Sequence, residues 1–171
     1  INDKVVAIKS SLDTPSHIIE LDPATGLERR ISYTGAISTR PAYDALNNRL
    51  WWTEYRRSVM FQQKVRSTLC YIDFDKNRPR TAYMQGRNIL YPTPDDEGGL
   101  AWIEYQSNGI YSFHHRLCDG NERAFSLPFG EEIHSLAWDN TTRSHYCIIT
   151  SDEGMHIAKI DRNYNLTPLT H

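Results

Sequence analysis

One pattern occurs three times along this chain of 171 residues and limits the folds open to it. It first reads Pro41-Ala42-Tyr43-Asp44, a turn through Asn47-Asn48-Arg49, then Leu50-Trp51-Trp52-Thr53-Glu54-Tyr55. It returns as Pro94-Asp95-Asp96, Glu97-Gly98-Gly99 and Leu100-Ala101-Trp102-Ile103-Glu104-Tyr105. The third copy is Ala137-Trp138-Asp139, a turn from Asn140 to Ser144, and Tyr146-Cys147-Ile148-Ile149-Thr150. Asp44 and Asp95 stand 51 residues apart, Asp95 and Asp139 44. Each copy is strand, acidic polar turn, strand. Each is followed by a second strand pair: 69–74 with 80–84, 109–114 with 123–127, and 155–160 with 166–169. The N-terminal stretch carries the same ending, with strands over 5–9, 17–22 and 27–32 and the turn Asp22-Pro23-Ala24-Thr25-Gly26. Asp-Pro-x-x-Gly and Asp119-Gly120-Asn121 are good hairpin chemistry, because Asp bonds its own turn amides and Gly adopts positive φ without strain.

No window keeps a helical period with caps. Aromatic residues are 11% of the chain, with 10 Tyr and 4 Trp, too many for a disordered segment and suited to sheets. A repeat of about 40–50 residues with four antiparallel strands is the unit of a β-propeller blade. A sandwich or barrel of short strands is the alternative, but it needs no repeat. The expected fold class is all-β, a partial β-propeller of about three and a half four-stranded antiparallel blades. Within the segment 1–171 the blades run roughly over 1–33 (partial), 36–85, 88–128 and 132–170. Residues 1–33 lack an innermost strand and nothing after 170 supplies one. The reading is therefore a piece of a larger propeller, with a closed four-bladed ring as the runner-up.

These blades resemble those of TolB-type six-bladed propellers, which carry a Pro-x-x-Asp-like turn between their two innermost strands. Trp51-Trp52-Thr53-Glu54 also looks like the Tyr-Trp-Thr-Asp string of the YWTD receptor propellers. The second and third copies depart from it, with Ala101-Trp102-Ile103-Glu104 and Cys147-Ile148-Ile149-Thr150. The TolB-type likeness implies a periplasmic or exported location. Another propeller class, that of prolyl-oligopeptidase-like peptidases, implies a second role, as the gating or substrate-recognition propeller of a larger hydrolase.

Charge and motifs narrow the function. Nineteen basic and 21 acidic residues leave a net charge of −2, which gives no support to nucleic-acid binding. No apolar run approaches the ~20 residues of a membrane span, so no membrane insertion is expected. The opening Ile1-Asn2-Asp3 carries no signal-peptide pattern and reads as a cleaved product or a piece of a longer chain. Cys70, Cys118 and Cys147 form no CxxC, and the seven histidines form no His-x-His or HExxH. No metal and no cofactor is expected. His114 and His115 are adjacent, so on a strand they face opposite ways. With no nucleophile elbow, phosphate loop or dinucleotide fingerprint, no catalytic residue is assigned. The expected function is a non-catalytic, protein-interaction or scaffold propeller. Its partner is another protein or the remainder of its own chain, with self-association through open blade edges as a further possibility.

Two binding elements are expected. Glu54 and Tyr55 occupy the same place on their strand as Glu104 and Tyr105, so radial repetition brings all four to one channel mouth. Residues 56–66 read as a long basic loop holding Arg56, Arg57, Lys64 and Arg66 without an acid, and its apolar tip includes Phe61. A long basic loop on a rigid scaffold is a binding element for an acidic partner.

Overall fold

The structure is a computed structural model that describes residues 5–37, 40–57, 65–76 and 80–170. Its strands form four antiparallel sheets in chain order, and no helix occurs among the described residues. The first sheet holds β1 (Val5–Lys9), β2 (His17–Leu21) and β3 (Glu28–Tyr33). In the second, β4 (Ala36–Ile37) and β5 (Ala42–Asp44) both pair with β6 (Arg49–Arg57), followed by β7 (Val65–Asp73) and β8 (Thr81–Arg87). The third is β9 (Ile89–Pro94), β10 (Leu100–Tyr105), β11 (Tyr111–Arg116) and β12 (Glu122–Ser126). The fourth is β13 (Glu132–Asp139), β14 (Ser144–Ser151), β15 (Gly154–Ile160) and β16 (Leu166–Pro168). Apart from β4 and β5, which share β6 as partner, sequence neighbours within each sheet are sheet neighbours, as a repeated meander requires.

Aspartates close the hairpins. Asp44 accepts the Asn47 amide, Asp95 the amides of Glu97 and Gly99, and Asp139 those of Thr141 and Thr142. The outer turns repeat the device: Asp22 accepts from Ala24, Asp73 from Lys76, Asp119 from Asn121 and Asp161 from Asn163 and Asn165. A short acidic side chain that bonds its own turn amides competes with continued strand and fixes the reversal. Since strands alternate direction, all seven of these turns lie at one end of the sheets. The inner turns end on a residue at positive φ: Asn48 (48°), Gly98 (87°) and Arg143 (49°).

The sheets stack through both faces. Trp52 and Trp102 are fully buried in equivalent positions, and Trp51, pointing the other way on β6, is 4% exposed. Trp52 packs with Leu50, Cys70 and Ile72 against Ile18 of the first sheet. Trp51 and Leu69 meet Ile89, Leu100 and Trp102 of the third. Ala101, Ile103 and Phe113 meet Cys147, Ile149, Ala158 and Ile160 of the fourth. Alternation along the strands generates this arrangement: successive residues feed opposite interfaces, so a blade carries two apolar faces rather than one. On the far face of the fourth sheet, Ile157, paired with Ile148, is 48% exposed.

The expected basic loop is shorter than its sequence suggested. The ladder of β6 and β7 continues past Tyr55↔Ser67 through Arg56↔Arg66 to Arg57↔Val65. Arg56, Arg57 and Arg66 therefore belong to strands rather than to a loop over 56–66. Phe61 and Lys64 lie outside the described residues.

Candidate functional site

The end of the sheets opposite the aspartate turns carries the four residues expected at the channel mouth. Alternation separates them into two sets. Glu54 and Glu104 share a face with the tryptophan two residues earlier, and each accepts its indole N–H: Trp52 Nε1 to Glu54 Oε1 at 2.9 Å, Trp102 Nε1 to Glu104 Oε1 at 3.0 Å. Trp-x-Glu is thus a repeated structural unit.

Glu54 is further committed. Arg80 grips it side-on, Nε to Oε1 at 2.9 Å and Nη2 to Oε2 at 2.6 Å. The carboxylate is 1% exposed, and Gly35 lies so near that a Cβ there would sit 3.1 Å from Oε2. Glu104 is less enclosed and faces His114, whose Nε2 stands 3.7 Å from Oε2 and whose ring stacks on Trp102 at 5.5 Å. Thr150, in the corresponding place on the fourth sheet, keeps a buried hydroxyl without a hydrogen-bond partner.

The tyrosines take the opposite faces. Tyr55 is 39% and Tyr105 40% exposed. Tyr105 is the cross-strand partner of Tyr111, their ring centroids 4.9 Å apart. Tyr91 comes from the neighbouring strand β9, where the β9–β10 register shifts between Ala101 and Ile103 and its φ reaches 52°. A bulky residue at positive φ is a strained position, and the bulge re-aims its side chain. The four phenols form one electrostatic group. Burial first, then Tyr55, pushes the Tyr91 phenol up. Burial first, then Glu132, Tyr105, Tyr91 and Tyr55, pushes Tyr111 up. The four rings offer hydroxyl donors and acceptors on a flat apolar body.

This end of the molecule therefore presents aromatic surface, with the Glu132 carboxylate acting on Tyr111. Tyr91 and Tyr111 join the expected Tyr55 and Tyr105. Tyr111 follows from the β10–β11 register, whereas nothing in the sequence marks Tyr91, which depends on the bulge.

No protein-family model and no curated protein matches this sequence. Solved structures do. TolB from Acinetobacter baumannii superposes with a TM-score of 0.68 at 14% identity, over 98% of this chain and 41% of that one. A chain of the nidogen/laminin complex superposes with a TM-score of 0.65 at 14% identity, over 98% of this chain and 58% of that one. The chain thus spans about two fifths of the first neighbour's length and under three fifths of the second's. At this identity the likeness shows the fold alone: a partial β-propeller that resembles TolB-type and YWTD-type propellers.

Proposed function

We propose that this chain is a protein-binding propeller segment without catalytic work of its own, and that Tyr55, Tyr91, Tyr105 and Tyr111 form its recognition surface. The gathering of four tyrosines at one end of the second and third sheets carries this reading. Tyrosine supplies a large contact area with few rotors and a polar tip, and it dominates the energetics of protein interfaces. The Glu132 carboxylate acting on Tyr111, and the electron-rich ring faces, suit a partner loop that carries an arginine or lysine. Supporting the reading, the nidogen/laminin neighbour is a complex of two proteins.

Peptide display against the immobilised chain tests it. Selected binders are expected to be enriched in basic and aromatic residues. The Tyr55→Ala/Tyr105→Ala double variant is expected to bind them at least 30-fold more weakly, since a tyrosine hot spot contributes about 2 kcal/mol or more. Tyr105→Phe should retain most of the affinity, because the ring is kept. Binders indifferent to the double alanine variant would place the recognition surface elsewhere.

A further inference from the structure

At the opposite end, among the aspartate turns, the cleft between the third and fourth sheets opens into a cavity of about 370 Å³. Its floor is built from two histidines whose rings lie 5.1 Å apart, His115 of β11 and His145 of β14. His115 is fixed on both sides. Its Nε2 stands 2.8 Å from Asp95 Oδ2 and its Nδ1 3.2 Å from the Tyr164 hydroxyl. Burial acts to raise the Asp95 pKa, but the His115 bond and the amides of Gly99 and Glu97 outweigh it and hold the carboxyl below its ordinary range. An ionised Asp95 accepts from His115 Nε2, and Nδ1 pairs with the Tyr164 hydroxyl. Gly99 leaves room for this pair, since a Cβ would stand 2.4 Å from Asp95 Oδ2. His145 is 3% exposed, and its Nε2 has no hydrogen-bond partner.

The rim carries three arginines, Arg123, Arg143 and Arg162, beside Glu97 and Asp161. Arg143 and Arg162 both reach the same oxygen of Glu97, at 3.2 and 2.5 Å. The nearby Asp161 carboxylate is occupied by the amides of Asn163 and Asn165 and by the Asn165 side chain. Arg123 is the strand partner of His115 and lines the cavity, yet it forms no ion pair among the described residues. Three guanidiniums thus stand beside two lining carboxylates, Glu97 and Asp161, and Arg123 is the one that takes no part in the Glu97 pairs, its charge acting instead on the exposed Asp119. Trp138 adds a flat wall, held by Nε1 donating to Asp96 Oδ1 at 2.9 Å and tilted against His145 at 4.7 Å.

We infer that this cavity binds a carboxylate-bearing ligand, with Arg123 gripping the carboxylate and the Trp138 ring packing on its apolar part. The guanidinium fork matches a carboxylate in a bidentate pair, and the volume falls in the range of small-ligand sites. The site is separate from the tyrosine surface at the far end and does not depend on it.

Trp138 gives the readout, since Trp51, Trp52 and Trp102 are buried and Trp138 is only half-buried. The probes are glutarate and the capped peptide Ac-Glu-Asp-Glu-NH2, with sodium sulfate at matched ionic strength as the reference anion. A saturable change in tryptophan fluorescence is expected with a carboxylate probe and not with sulfate. Tighter binding of glutarate identifies a free small acid, and tighter binding of the peptide identifies an acidic segment of a protein. Arg123→Ser is expected to weaken the better probe at least tenfold, and Arg123→Lys to weaken it as well, because the charge stays but the fork is lost. Arg29→Ser on the first sheet should leave the curve unchanged. Trp138→Phe should silence the fluorescence while calorimetry still records binding. The inference fails if both probes give only the response of sulfate, or if Arg123→Ser titrates as the unaltered chain does.

Discussion

Trp52→Ala is expected to lower the free energy of unfolding by about 3–5 kcal/mol, as large-to-small changes of buried aromatic residues do. The indole is wholly enclosed between the first and second sheets, against Ile18, Leu50, Cys70 and Ile72. Its loss also withdraws one of the donors that keep the buried Glu54 carboxylate satisfied, leaving the fork of Arg80 alone. Removing a partner from a buried charged group costs more than the bond itself is worth, because the group remains out of water. Trp52→Phe separates the two contributions. It keeps most of the packed ring but loses the N–H, and should cost about 1.5–3 kcal/mol, the value of a hydrogen bond to a charged group. Urea denaturation followed by circular dichroism measures both. A loss under 1 kcal/mol for Trp52→Ala would show that the first two sheets are not held together at this face.

What the sequence made legible was local. The aspartate turns could be found because Asp44, Asp95 and Asp139 bond amides only two to four residues away, and such a device leaves its mark at fixed spacing. Trp52 and Trp102 could be matched because strand alternation converts position into face. The same alternation sends Glu54 and Tyr55 to opposite sides of β6, so grouping the two at one mouth joined residues that serve different interfaces. What the sequence hid was contact between side chains far apart in the chain. Glu54 meets Arg80 across 26 residues and His115 meets Tyr164 across 49, with no motif to announce either pair. Tyr91 is placed by a positive φ in a β-bulge, which residue type does not reveal. The extent of the basic segment was misjudged for a related reason. Arginines on the arms of a hairpin read as loop when counted by charge, whereas the register of β6 with β7 carries them as strand.

Acid should weaken this fold from below pH 6.5, with His145 as a principal cause. Burial first, then the neighbouring His115, pushes the imidazole down to about 3, against which the Asp95 charge pulls upward. An unfolded His145 takes up its proton near pH 6.5. Between about pH 6.5 and 3 the unfolded chain therefore binds a proton that the folded chain refuses, and stability falls as pH falls through that window. The slope approaches about 1.4 kcal/mol per pH unit, and the stability is fully present above pH 6.5. His145→Phe removes the titration while keeping an aromatic ring beside Phe113 and Trp138, whose ring centroids lie 5.3 and 4.7 Å from that of His145. It also removes the unpartnered Nε2. The variant should be at least as stable at pH 7, since a buried nitrogen without a partner opposes folding. From pH 6 to pH 4 the unaltered chain should lose about 2–3 kcal/mol more than the variant, the difference that one histidine with these two pKa values supplies. Asp95 contributes in a lower window. Its carboxyl is held below the ordinary range in the fold, so its stabilisation is present above the unfolded carboxylate pKa of about 3.9 and is lost only as pH falls beneath it. Urea melts of both proteins at pH 7, 6, 5 and 4 resolve the two windows. Parallel stability curves down to pH 4 would mean that His145 accepts its proton in the folded state as readily as in the unfolded one, and that the interface of the third and fourth sheets opens to water at its turn end.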